Sequence, residues 1–235
     1  MKLVIVGATG LVAQELIRQS LPNPDITSIV AVARRPIPPP VGANADKVKN
    51  VLVADFDNYS EEVKQEFAGA DACIWTVAVT PMKSRGMPFE EMKRVCHTST
   101  LVGLRALHEA GLARPFRFIY MSGFAAERDQ SKPLPADMAE YSHMRGATEN
   151  SVLAFAGEHS GEGFEACVVK PGPITHDAAS LEIAEKLKAA RGIPNVDLKE
   201  ISAAILQQVV HGIEKEPLMN DELAIIGRKA LAAAA

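Results

Sequence analysis

Lys2-Leu3-Val4-Ile5-Val6-Gly7-Ala8-Thr9-Gly10-Leu11-Val12-Ala13 is the stretch that decides the fold. Lys2 to Val6 is a short, β-branched apolar run of strand length, and the glycines at 7 and 10 break it. Ala13, Leu16, Ile17 and Leu21 then recur at helical spacing, with Val12 beside them. Strand, glycine turn and helix in this order let backbone N–H groups approach a pyrophosphate while the helix start adds its electropositive end. The spacing is G-x-x-G-x-x-A, with Ala13 where a third glycine often lets helix and strand pack closely. Gly7, Thr9, Gly10, Leu11 and Val12 are the expected phosphate-contacting residues.

Outward from that turn, strand-like and helix-like segments alternate to the end of the chain. Strands are expected near 2–6, 27–33, 49–54, 71–78, 115–121 and 164–170, with a weaker one near 222–226; helices are expected near 10–21, 59–68, 88–111, 139–158, 178–190 and 198–214. This is the pattern of an α/β chain: a Rossmann-type, doubly wound parallel sheet in three layers, with a small C-terminal substrate lid. One domain over residues 1–235 accommodates it. Right-handed crossovers place the functional loops at the carboxyl edge of the sheet, so Thr80 to Pro88 and Gly123 to Ala139 are candidate pocket rims.

The bulk numbers narrow the partners. With 235 residues, 47% hydrophobic content and a net charge of -4, the chain can bury a full core and carries no basic run suited to nucleic acid. Cys73, Cys96 and Cys167 are widely separated and show no metal spacing, which favours buried, inert thiols and no metal site. His97 and His108, on the helix expected at 88–111, read as structural or surface residues. No apolar stretch reaches membrane-spanning length and no leader pattern precedes the first strand, so a cytoplasmic protein with a small-molecule substrate is expected. The helices at 88–111 and 139–158 are candidates for pairing in a homodimer.

Ala33-Arg34-Arg35 closes the second strand, where an acidic residue would favour a free ribose 2′-hydroxyl and an arginine favours a 2′-phosphate. Two guanidinium groups and no carboxylate point to NADP. Asp55 and Phe56, past the third strand, offer a polar contact and an apolar wall for adenine. The fifth strand ends at Ser122, and Tyr141 follows on the next helix with Arg145 one turn beyond it on the same face. The same spacing sets Arg145 one turn before Glu149, an alternative ion pair.

Gly7-Ala8-Thr9-Gly10, Arg34-Arg35, Ser122 followed by Tyr141, and Lys170-Pro171-Gly172-Pro173-Ile174-Thr175 together resemble the short-chain dehydrogenase/reductase superfamily, specifically its atypical members with an NmrA-like NAD(P)-binding domain. The resemblance spans essentially the whole chain. It implies that Ser122 polarises a carbonyl, that Tyr141 of the Y-x-x-x-K pattern exchanges a proton during hydride transfer, and that the backbone of Trp75 and Thr76 passes beneath the cofactor. It further implies that Pro171, Gly172 and Ile174 support the nicotinamide. Arg145 departs from the pattern, standing where lysine binds the ribose and lowers the tyrosine pKa; arginine keeps the charge but not the reach. The implied activity is NADP(H)-dependent oxidation or reduction of a carbonyl or alcohol. The alternatives are a redox-sensing regulatory protein that binds NADP(H) without turnover and an isomerase-type enzyme on the same fold.

Overall fold

The computed structural model describes residues 1–80, 82–84 and 86–234. At the centre of its sheet, β1 (Lys2–Val6) pairs in parallel with β2 (Ser28–Ala33) on one side and β4 (Ala72–Trp75) on the other. Among the described residues the sheet runs β3-β2-β1-β4-β5-β6-β9, with β3 at Val48–Leu52, β5 at Phe116–Met121, β6 at Phe164–Lys170 and β9 at Leu218–Met219. The winding direction reverses between β1 and β4. Ligands of such sheets bind in the crevice beyond the carboxyl ends of the strands at that reversal.

Successive residues of each central strand serve opposite faces, and both faces are covered, which is why the strands read as unbroken apolar runs. Leu3, Ile5, Ile29, Ala31, Ile74 and Ile119 pack beneath α1 (Leu11–Ser20) and α7 (Leu198–His211). Val4, Val6, Val30, Val32, Cys73, Trp75 and Phe118 face α4 (Ser99–Glu109) and α5 (Ala139–Glu158), with α2 (Glu61–Phe67) completing that layer. Each such side chain taken from water contributes about 1.5–3 kcal/mol. All three cysteines are free and buried.

Two expectations are corrected. The weak strand at 222–226 is helical, because Asn220–Ala233 forms α8, Glu222 accepts the Met219 N–H at 2.9 Å to start it, and Gly227 lets it lie against the Glu200 backbone of α7. Only Leu218–Met219, just before it, extends the sheet. The long helix at 88–111 is interrupted: α3 (Phe89–Lys93) passes through a π-turn at Arg94–Thr98 into α4. Outside the main sheet, β7 (Ile174–Thr175) and β8 (Val196–Asp197) form a two-stranded ribbon flanking α6 (Ala178–Arg191). Within α6, Ala184 is the one fully buried residue.

Candidate active site

The glycine turn is built as its sequence predicts. Gly7 has φ +90°, a conformation that penalises a side chain, and a Cβ there would lie 2.5 Å from the Thr76 hydroxyl oxygen. Thr76 donates that hydroxyl to the Val6 carbonyl at 2.7 Å, locking the turn after β1 to the end of β4. Gly10 is the N-cap of α1, and no side chain caps the helix. Thr9, Gly10 and Leu11 are exposed, and Val12 turns its side chain into the core, leaving its N–H at the helix start. A narrow, uncapped helix N-terminus beside an exposed glycine turn fits a dinucleotide pyrophosphate.

At the end of β2, Arg34 and Arg35 are exposed, and neither takes an acidic partner among the described residues. The Arg34 guanidinium carbon stands 6.0 Å from the centre of the Phe56 ring, a cation–π arrangement. Asp55 accepts the Asp57 N–H at 3.1 Å and faces Arg94 at 3.5 Å, so it shapes its own turn while remaining exposed. Trp75 is fully buried: it packs against Phe56 and Phe118, and a Cβ on Gly103 of α4 would collide with its indole. Its ring is a core element, so the expectation that Trp75 lies beneath the cofactor concerns its backbone alone.

Beyond β5 the structure brings together more than the sequence announced. Ser122 donates its hydroxyl to Glu149, which has no exposed surface. The other carboxylate oxygen of Glu149 accepts from Arg128 at 2.6 Å and from Lys170 at 3.1 Å. Lys170 also holds the Ala126 carbonyl at 2.7 Å, and Arg128 extends the chain of charges to Glu216. A buried carboxylate survives only when paired and hydrogen-bonded in this way. The loop after β5 is pressed onto α5 because Gly146 offers no Cβ beneath the Glu127 carbonyl, and Glu127 N–H reaches the Ser142 carbonyl at 3.0 Å. That docking carries Arg128 to Glu149. Arg128 and Glu216 carry no local signal in the sequence because their pairing is nonlocal, and Glu149 stands out there only as a helical partner for Arg145; the basic end of β6 at Lys170 is the other signal.

Tyr141 and Arg145 share a face of α5, as their spacing predicts, but they do not act on the same group. The Tyr141 hydroxyl donates to the Val79 carbonyl at 3.0 Å, just past β4. Burial pushes its pKa up, with the Arg145 charge pulling the other way and Cys96 adding to the rise. Arg145 is 2% exposed and does not pair with Glu149; it lies over the Tyr120 ring at 5.1 Å and donates to the Met121 carbonyl at 2.7 Å. Its Nε and Nη1 are buried without hydrogen-bond partners among the described residues. Burial works against its charge, yet Tyr120, Tyr141 and Cys96 outweigh that and raise its pKa.

At the end of β6, the Pro171 carbonyl accepts the Phe124 N–H at 2.8 Å, and the Gly172 N–H donates to Asn220 Oδ1 at 3.0 Å. Gly172 also permits contact with the Pro194 carbonyl, where a Cβ would collide. Ile174 begins the ribbon and is half-buried. Of the expected rim residues, Met82 and Phe124 are exposed, Met87 and Phe89 pack beside Tyr141 near Val79, and Pro81 and Arg85 lie outside the described residues.

The profile of the NAD(P)H-binding family matches residues 7–211. Among curated proteins, the Leucinostatins biosynthesis cluster protein T of Purpureocillium lilacinum is 27% identical over 51% of this chain and 42% of its own length. Protein FMP52, mitochondrial, of Debaryomyces hansenii is 22% identical over 74% of this chain and 67% of its own. The matched part of this chain thus spans less than half of the first relative and about two thirds of the second. Among solved structures, a short chain dehydrogenase from Burkholderia cenocepacia in complex with NADP superposes with TM-score 0.65 and 17% identity, covering 99% of this chain and 92% of that one. Gre2 of Candida albicans with NADPH gives 0.69 and 15%, over 94% and 78%. MoeE5 with UDP-glucose and NAD gives 0.65 and 17%, over 99% and 82%. The chain belongs to the NAD(P)H-binding family and has the Rossmann fold of the short-chain dehydrogenases/reductases.

Proposed function

We propose that the chain is an NADP(H)-dependent oxidoreductase acting on a carbonyl or alcohol of a small organic molecule. The observation that carries the cofactor choice is the pair of exposed guanidinium groups, Arg34 and Arg35, without acidic partners among the described residues, at the end of β2. Gly7, Thr9, Gly10, Leu11 and Val12 would hold the pyrophosphate, Arg34 and Arg35 the 2′-phosphate, and Asp55 and Phe56 the adenine. Thr76 fixes the turn, while Pro171, Gly172 and Ile174 border the nicotinamide. A bound NADPH would supply the hydride for carbonyl reduction.

Tyr141 gives the proton to the carbonyl oxygen and takes it back in the reverse direction. Its raised pKa keeps it a proton donor. Ser122 orients the substrate oxygen, and Arg145 acts as a positioning residue: it holds the end of β5 through the Met121 carbonyl and places a positive charge beside Tyr141. The test is conversion of a panel of carbonyl compounds with NADPH by the wild type and by Tyr141→Phe, with NADPH affinity measured in parallel. Turnover that disappears while nucleotide binding persists supports the reading; equal turnover by both proteins overturns it.

A second reading, an NADP(H)-binding sensor without turnover, draws on two contacts. The Ser122 hydroxyl proton is engaged by Glu149, and the Tyr141 proton by the Val79 carbonyl. It requires saturable NADPH binding and no conversion of any compound on the panel.

A further inference from the structure

At the opposite edge of the sheet, where β5 and β6 begin, His108, His159 and Glu162 converge although the sequence shows no metal-ligand spacing among them. His108 lies in the last turn of α4, His159 caps the C-terminus of α5, and Glu162 ends the 3-10 turn that follows. One donor atom from each lies within 4.8 Å of the other two. His159 Nδ1 is 2.9 Å from one Glu162 oxygen, and His108 Nε2 is 3.4 Å from the other. Tetrahedral zinc with bonds of about 2.1 Å separates such donors by roughly 3.4 Å, so small side-chain adjustments close the set.

We infer that His108 Nε2, His159 Nδ1 and the Glu162 carboxylate form a zinc site, with water completing the coordination. Two imidazoles and a carboxylate suit this borderline ion. Both histidines also sit at helix C-termini, whose carbonyl ends favour a cation. The Phe155 ring centre lies 4.4 Å from that of His159 and 5.6 Å from that of His108, fixing the imidazoles against an apolar wall. Glu162 is held in register by its N–H bond to the His159 carbonyl at 2.9 Å. A cavity of about 120 Å³ lined by His108 and Glu162 gives water access. Arg114, which reaches Glu162 at 3.4 Å, is 68% exposed in its side chain and free to swing aside.

Untagged full-length protein, stripped by a chelator and titrated with zinc against a colorimetric competitor, is expected to take up one zinc per chain. His108→Gln and His159→Gln should each weaken uptake at least about tenfold. Far-UV circular dichroism and NADPH binding should be unchanged in both, so the outcome is independent of the proposed activity. X-ray absorption on the wild-type zinc protein gives a second measurement that needs no variant: nitrogen and oxygen neighbours with imidazole scattering are expected. No stoichiometric uptake, unchanged affinity in both variants, or sulfur ligands from Cys73, Cys96 or Cys167 would overturn the assignment.

Discussion

Ser122 gives its hydroxyl proton to Glu149, a carboxylate wholly enclosed by the fold and shared with Arg128 and Lys170. The serine nearest the proposed chemistry is thus oriented by a charge cluster beneath it. Glu149→Gln removes the buried carboxylate paired with Lys170 at 3.1 Å, and breaking such a buried pair costs about 3–5 kcal/mol. Ser122→Ala removes a single hydrogen bond, worth about 1 kcal/mol. Urea denaturation of the two variants should separate them in that order; similar losses would mean that the cluster does not behave as a buried ion pair.

The proposed preference for NADP(H) rests on Arg34 and Arg35. A charge-assisted contact to phosphate contributes about 1.5–3 kcal/mol, roughly a tenfold to hundredfold effect on affinity. Arg34→Ala should therefore weaken NADPH binding by at least about tenfold while changing NADH binding by less than about threefold. Parallel fluorescence titrations read both constants. A uniform loss for the two nucleotides would remove the argument for a 2′-phosphate contact.

The proton role proposed for Tyr141 has a pH signature. Burial first, with Arg145 opposing it, raises its pKa, so the phenol stays protonated to higher pH than a free tyrosine. Carbonyl reduction needs the protonated phenol and should stay level as pH climbs to about 10, the ordinary tyrosine value. Alcohol oxidation needs the phenolate and should accelerate over the alkaline range. A reduction rate that already falls below pH ~8 would assign the acid to another group.

Trp75 and Gly103 provide a test of the core. Adding a Cβ at Gly103 drives it into the indole, and overpacking of this kind typically costs about 1–3 kcal/mol. Gly103→Ala should lower the urea midpoint while leaving NADPH affinity within about twofold. A selective loss of nucleotide binding would place the indole at the cofactor site.

The strand–turn–helix opening was legible because every signal in it is local: the run of Leu3 to Ile5, the break at Gly7 and Gly10, and the helical recurrence after them. Likewise α5, at Ala139–Glu158, matches the expected 139–158. Failures arise where distant residues decide. Ala224, Ile225 and Ile226 look like strand, yet Glu222 starts a helix and Gly227 seats it on α7. The indole of Trp75 is directed by Gly103, which strand pattern alone does not reveal. Arg145 and Glu149 have the spacing of an ion pair, but the docking of Gly146 under Glu127 brings Arg128 to the carboxylate instead. The two-residue strands β7, β8 and β9 are too short for periodicity to register.

The segment between β7 and β8 is fastened where it returns to β8 and little before that. Gly172 presses on the Pro194 carbonyl, Asn220 grips the Asn195 carbonyl at 3.0 Å, and α6 sinks Ala184 alone into the interior. Exchanges at its exposed positions beyond the Asp177–Ser180 capping box carry little folding penalty. If α6 serves as the expected substrate lid, its exposed face can change one residue at a time without disturbing the sheet and glycine turn beneath.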